Sequence, residues 1–340
     1  MPAPYPTPFQ NKLLYHPQLP GLPFKRTSEN PRPYDSPASW KIEYEEVRLR
    51  TADGVGLHGW FLKAPRRVDY GTAPTIVFFH ANAGNIGFRL PNLDALVNKL
   101  EANVFIFDYR GYGDSDEVAI EEEGLKLDAD AAMAYVAGRA DIDRRKVFLF
   151  GRSLGGAVAI HTATKHGHLV AGLILESTFT SISDIVDHVF PVLSHIKWLV
   201  LNIKWASVDA IPHLPHPMLF IGGARDALVP LPMLKRLVAA ATSSVDKELM
   251  AVEDGDHNDT VQKAGDAYIV RLRGFISRTL RRTLGDAAAA TASRPRSRSP
   301  PRATTAATPE PSPTPTPTPT VPVPPGTASL DLDTFEMTAT

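Results

Sequence analysis

Short segments rich in apolar and β-branched residues recur through the middle of the chain as strand candidates, at intervals that leave room for a helix or a loop between them: VRLRT, LHGWFLKA, TIVFFH, NVFIFDY, KVFLFG, LVAGLILES, PMLFIGG and KELMAVE. The middle runs are apolar at nearly every position, as strands buried on both faces must be; a sheet with one wet face would alternate instead. The stretches between them carry helical spacing. In EEEGLKLDADAAMAYVAGRA, Leu125, Ala129, Ala132 and Val136 share one face, and the acidic residues occupy the first turn, where the helix dipole favours them. Strands alternating with helices predict an α/β fold, a mostly parallel central sheet with helices on both faces.

The pattern fails at both ends. Repeated prolines before Lys41 block helix and sheet interiors, so residues 1–40 are expected to form an extended strap, with the α/β domain over residues 41–284. From Gly285 the composition turns to Ala, Thr, Ser, Arg and Pro, through SRPRSRSPPR and PTPTPTPT. Residues 285–340 are therefore expected to be a disordered tail, with too little apolar surface to offset the entropy of ordering. Its SRPRSRSP run suits an acidic partner or phosphorylation, and a solvated linker is the plainer reading. Within the domain, residues from about 178 to 215 interrupt the fold between two strands and are expected to form a short lid. Phe179, Ile182, Phe190 and Trp198 are candidates to line an acyl pocket there, with ordinary core packing as the competing assignment.

Composition narrows the classes. A formal net charge of -1 over 340 residues offers no basic face to neutralise phosphates, so nucleic acid is set aside as a partner. Cysteine is absent, which excludes disulfides, a thiolate nucleophile, cysteine-ligated zinc and palmitoylation of this chain. The stretch MPAPYPTPFQNKLLYHPQLPG is too rich in proline for a signal peptide or a membrane span, and the apolar stretch HVFPVLSHIKWLVLN is broken by Pro191, His195 and Lys197. The expectation is a cytoplasmic or peripherally membrane-associated protein.

The run KVFLF leads directly into Gly151-Arg152-Ser153-Leu154-Gly155-Gly156, followed by the small-residue helical pattern AVAIHTATKHG. A bare G-x-S-x-G says little, but between a buried strand and a helix it is the setting of a nucleophile elbow. The competing assignment is a glycine-rich turn whose serine caps the helix. A serine hydroxyl needs a base to remove its proton and a carboxylate to orient that base. Asp226, after the strand PMLFIGG, and His257, after KELMAVE, supply one such pair, at strand ends where ligand-facing residues of open α/β sheets gather. Glu176, at the end of LILES, is the alternative acid. Asp254, Asp256 and Asp259 lie so close to His257 in sequence that they read as loop-forming. The expected oxyanion donors are the backbone N–H of Leu154 and one from HANAGN, with Asn82 the candidate. His80 in that loop reads as a shape-holding residue. Asp108 and Arg110, in DYRGYGDS, read as a turn on the far wall of the site.

Taken together, FFHANAGNIGFRLP, DYRGYGDSD, GRSLGGAVAI, ESTFTSI and GDHNDT resemble the bud-emergence-protein branch of the α/β-hydrolase domain-containing proteins, from about Gln10 to about Leu280. The resemblance implies the α/β-hydrolase fold, whose triad runs serine, acid, histidine along the chain. It carries over Ser153 as nucleophile, Asp226 as acid, His257 as base, and Asn82 with Leu154 as the oxyanion pair. It also implies a serine hydrolase, with protein depalmitoylation the activity of the nearest characterised relatives; similar sequences are also filed as serine peptidases of the prolyl-oligopeptidase clan. Two departures stand out. The family commonly has glycine where Ala81 stands, and an alanine forced to positive φ would strain the oxyanion loop. Members often begin with a membrane-spanning helix, which is not evident here.

The activity expected is hydrolysis of an acyl ester or thioester through an acyl-enzyme, with no metal or organic cofactor required. The implied partners are a small acyl ester or thioester, or an acylated protein; peripheral membrane contact is compatible with this. A peptidase and a non-catalytic interaction protein on the same fold are the rival readings.

Overall fold

A computed structural model describes residues 8–195, 197 and 201–292. The expectations for residues 1–7, for Trp198 and for residues 293–340 of the tail lie outside the described residues.

Among the described residues one sheet carries eight strands: β1 (Tyr44–Arg50), β2 (Gly56–Leu62), β3 (Thr75–Phe79), β4 (Asn103–Phe107), β5 (Val147–Arg152), β6 (Gly172–Glu176), β7 (Met218–Gly223) and β8 (Lys247–Val252). Their order is β1-β2-β4-β3-β5-β6-β7-β8. The first two pairings, β1 with β2 and β2 with β4, are antiparallel, and all the others are parallel. The helices are α1 (Pro8–Leu14), α2 (Leu90–Asp94), α3 (Glu122–Gly138), α4 (Leu154–His166), α5 (Ile182–Val189), α6 (Ser207–Ala210), α7 (Leu231–Ala240), α8 (Thr260–Ala264) and α9 (Asp266–Ala292).

Side chains alternate across a strand, so each apolar run feeds two cores. Val77, Phe79, Leu149, Leu173 and Phe220 point to one face, where they meet residues of α3, α4 and α7. Ile76, Phe78, Phe150, Ile174 and Ile221 point to the other, against α2 and α9. Within the second core, the Phe78 and Phe150 rings stack at 4.7 Å. Truncating a phenylalanine so buried costs about 3–5 kcal/mol.

Two expectations about the ends need correction. The proline-rich N-terminal segment is not extended throughout: α1 occupies Pro8–Leu14, and short 3₁₀ turns follow at Thr27–Glu29 and Pro37–Trp40. Proline is tolerated at a helix start, where its missing N–H would be unpaired anyway, and Pro8 is the first residue of α1. At the other end α9 continues to Ala292, through the composition change at Gly285, because the alanines there are strong helix formers.

The insertion between β6 and β7 holds α5 and α6. Phe179 and Ile182 pack into the larger core cluster, and Phe190, just past the end of α5, is exposed at 48%. These residues therefore do not share one pocket wall. Core packing, the alternative assignment, accounts for the first two.

Candidate active site

Ser153 sits between β5 and α4 with φ 53° and ψ −118°. An L-residue reaches that region only under strain, and the sequence accommodates it with close-packed glycines on either side. A Cβ on Gly151 would lie 2.2 Å from the Gly155 carbonyl oxygen, and one on Gly155 would lie 2.0 Å from that of Phe79. The turn is pinned by hydrogen bonds. Ser153 N–H donates to the Glu176 carbonyl at 2.9 Å, and the Ser153 carbonyl accepts from Thr178 Oγ1 at 2.8 Å.

Asp226 and His257 reach the same place from the loops after β7 and β8. His257 Nε2 is 3.2 Å from Ser153 Oγ, and His257 Nδ1 is 2.8 Å from Asp226 Oδ2. The second carboxylate oxygen of Asp226 accepts from the N–H groups of Leu228 at 3.0 Å and Val229 at 2.7 Å, which fixes the plane of the carboxylate. A carboxylate can only accept from Nδ1, so the proton belongs there and Nε2 is left to accept from the serine hydroxyl. All three residues are buried, at 5–6% exposure. The arrangement can draw a proton off Ser153 in a site largely shut to water.

Glu176, the alternative acid, faces elsewhere: its side chain meets Arg152 and Tyr268. Asp256 bends the histidine loop, accepting from the N–H groups of Asn258 at 2.7 Å and Asp259 at 2.9 Å.

Leu154 opens α4 immediately after the serine. Asn82 lies in the loop after β3, and there the N-terminal segment intervenes. Asn82 O accepts from His16 N–H at 3.0 Å and from the Tyr112 hydroxyl at 2.7 Å, while its side-chain amide donates to the Leu14 carbonyl at 2.9 Å. Gly84 N–H completes a short parallel bridge by donating to the His16 carbonyl at 2.9 Å. With carbonyl and side chain engaged, the backbone N–H is what Asn82 has to offer an oxyanion. Ala81 is not among the non-glycine residues of positive φ, so alanine at that position carries no left-handed strain. The His80 ring is buried, bonded to the Ala81 carbonyl at 2.7 Å and packed 4.1 Å from the Tyr109 ring. Arg110 is held by Asp53 at 2.7 Å and Asp128 at 2.8 Å, which locks the turn that carries Tyr112.

The lid segment touches this assembly from two sides. His188 of α5 bonds to the Ala227 carbonyl, next to the acid, at 2.8 Å. Trp205 Nε1 donates to the buried Tyr15 hydroxyl at 3.1 Å, and Asn202 N–H donates to Gln10 Oε1 at 2.9 Å. Sequence reasoning missed the roles of Leu14–His16, Tyr112, Arg152 and Tyr268. A signal was present for Arg152: a charge at the end of the buried strand KVFLFGR must find a partner.

Among the described residues, one group has donor atoms close enough to suit a metal ion, His58, Asp108 and Asp114, within 4.8 Å of one another. Those atoms already serve the protein. His58 Nδ1 lies 3.5 Å from Asp108 Oδ2, Asp108 Oδ2 accepts from Asp114 N–H at 3.3 Å, and Asp114 Oδ2 accepts from Thr27 N–H at 3.1 Å. The group reads as an internal charge cluster.

A family pattern described as alpha/beta hydrolase fold matches residues 74–197. The alpha/beta hydrolase domain-containing protein WAV2 of Arabidopsis thaliana is 38% identical over 275 residues, covering 76% of this chain and 85% of that protein. Protein bem46 of Schizosaccharomyces pombe is 36% identical over 243 residues, 71% of this chain and 79% of that one. An uncharacterized membrane protein of Saccharomyces cerevisiae, YNL320W, is 36% identical over 239 residues, 70% of this chain and 81% of that protein. Among the described residues no helix is long and apolar enough to cross a membrane. Among solved structures, the Pyrococcus furiosus esterase Pf2001 superposes with a TM-score of 0.61 at 20% identity, covering 78% of this chain and 97% of that one.

Proposed function

The chain belongs to the α/β-hydrolase domain-containing proteins, in the branch of WAV2 and bem46, and from that premise we propose that it is a serine hydrolase of acyl esters or thioesters, acylated proteins among its substrates. The observation that carries the proposal is the contact chain from Ser153 Oγ through His257 to Asp226, at 3.2 Å and 2.8 Å. Such a chain activates a hydroxyl that is otherwise a poor nucleophile.

In this reading His257 Nε2 takes the Ser153 proton as Oγ attacks the acyl carbonyl carbon. Asp226 holds the tautomer and stabilises the imidazolium. The oxyanion is received by the backbone N–H groups of Leu154 and Asn82. As the tetrahedral intermediate collapses, the C–O or C–S bond breaks and His257 returns the proton to the leaving alcohol or thiol. Water, deprotonated by the same imidazole, then cleaves the acyl-enzyme and restores the serine. The burial of Ser153 favours a substrate that presents its carbonyl on a narrow, flexible chain over a folded peptide segment.

The test compares wild type with Ser153→Ala on p-nitrophenyl acyl esters, acyl thioesters, palmitoylated peptides and plain peptides. Turnover of esters or thioesters that vanishes in the variant supports the proposal. Turnover of peptides alone would make the protein a peptidase, and no turnover with no fluorophosphonate labelling would leave a non-catalytic fold.

A further inference from the structure

Arg152, the residue between glycine and serine in the elbow, has a buried side chain with no part in the chemistry above. Its Nη2 donates to the His257 carbonyl at 3.0 Å and to Asn258 Oδ1 at 3.2 Å. Its Nε faces Glu176 Oε1 at 3.4 Å, and the other Glu176 oxygen accepts from the Tyr268 hydroxyl at 2.5 Å. Arg152 and Glu176 are register partners on β5 and β6. The same Glu176 accepts the Ser153 N–H through its backbone carbonyl at 2.9 Å.

Building on the serine hydrolase reading, we propose that Arg152 is a positioning residue for the base, tying the His257 loop to the nucleophile's own strand and so setting the distance from Nε2 to Ser153 Oγ. The histidine loop leaves the sheet after β8, three strands away from β5. Its Asx turn shapes the loop locally but does not attach it to the elbow. Arg152 makes that attachment. A guanidinium suits the task because its planar fork serves a carboxylate and a carbonyl at once, where an ammonium is a single point charge. Glu176 balances the buried charge, and Tyr268 satisfies the remaining carboxylate oxygen. Burial beside Glu176 pushes the Tyr268 phenol far above its ordinary range, so it stays a neutral donor.

Removing the arginine alone would strand a buried carboxylate, so the main test is the double substitution Arg152→Met with Glu176→Gln, which withdraws both charges and keeps a partner for Tyr268. It is made in the full chain, alongside the single Arg152→Lys. Melting temperature, kcat and KM on an acyl ester, and the rate of fluorophosphonate labelling are measured for each. A misplacement on the order of 1 Å can cost about a hundredfold in rate, so kcat and labelling should both fall about 10- to 100-fold, with KM within about twofold. Arg152→Lys, which preserves the ion pair and loses the fork, should fall between the double variant and wild type in kcat while melting like wild type. A folded double variant with wild-type kcat, a loss confined to KM, or an Arg152→Lys variant with undiminished kcat would each overturn the role. Wild type that neither turns over esters nor takes the probe would overturn the hydrolase reading, and this inference with it.

Discussion

Ser153 is the residue whose backbone the fold strains most usefully, and a pair of substitutions can weigh that strain. Ser153→Ala and Ser153→Gly both delete the hydroxyl and its contact with His257, and they differ only in the Cβ. At φ 53° and ψ −118° a side chain is costly and glycine is not. A residue held in such a region costs about 1–3 kcal/mol. Glycine gives back about 0.4–1 kcal/mol through its greater freedom in the unfolded chain. The balance leaves Ser153→Gly more stable than Ser153→Ala by about 1 kcal/mol. For a domain of this size 1 kcal/mol corresponds to about 2–4 °C in Tm. Differential scanning calorimetry at one pH and scan rate resolves that gap, and neither variant should hydrolyse an ester. If Ser153→Gly melts at or below Ser153→Ala, the turn is not strained at this residue.

Three further expectations test other parts of the assembly. Gly155→Ala would place a Cβ 2.0 Å from the Phe79 carbonyl oxygen, a backbone atom that cannot swing aside, so the urea midpoint should drop by the equivalent of about 1–3 kcal/mol or more. Tyr15→Phe leaves the buried Trp205 N–H without its acceptor; a loss of about 1–3 kcal/mol in urea unfolding is expected, and an unchanged midpoint would contradict the strap-to-lid contact. For His58, burial disfavours the charge, but Asp108 and Glu46 outweigh it and hold the pKa above the ordinary value. Burial also pushes Asp108 up, yet with Glu46 at 2.6 Å and Asp114 at 3.9 Å three carboxylates face one imidazole, which supports the charged ring. A raised folded-state pKa gives stability that is complete below the unfolded value of about 6.5 and is lost as pH rises through the folded value. Wild type should therefore lose Tm relative to His58→Gln as pH rises from about 6 to 8, and parallel Tm curves would argue against a charged His58.

Much of the architecture could be read directly from the chain, for a physical reason. Strands buried on both faces leave continuous apolar runs, which KVFLFG and its central companions show, and the partly exposed edge strands β1 and β8 also overlap their predicted segments VRLRT and KELMAVE. The meeting of Ser153, Asp226 and His257 was likewise legible, since each follows a strand and a parallel sheet delivers such loops to one edge. The N-terminal docking was not. Its prolines say what the segment cannot be, whereas the bonds of His16 to Asn82 and Gly84 join backbone to backbone, and Leu14 offers the Asn82 amide only its carbonyl, so no side-chain pattern of the segment encodes them. Pocket lining was illegible for another reason: an apolar stripe such as Phe179 and Ile182 is equally suited to a ligand or to a sheet, and here the sheet takes it.

The bridge between residues 14–16 and the loop after β3 also bears on how the protein is made. Residues 14–16 have no partner until Asn82 and Gly84 have been synthesised, and the clasp on Trp205 waits 190 residues beyond Tyr15. His257 follows Ser153 by 104 residues. Under the proposed serine-hydrolase mechanism, a nascent chain that already displays the elbow would stay chemically silent, its hydroxyl meeting the imidazole only when nearly the whole described domain has been translated.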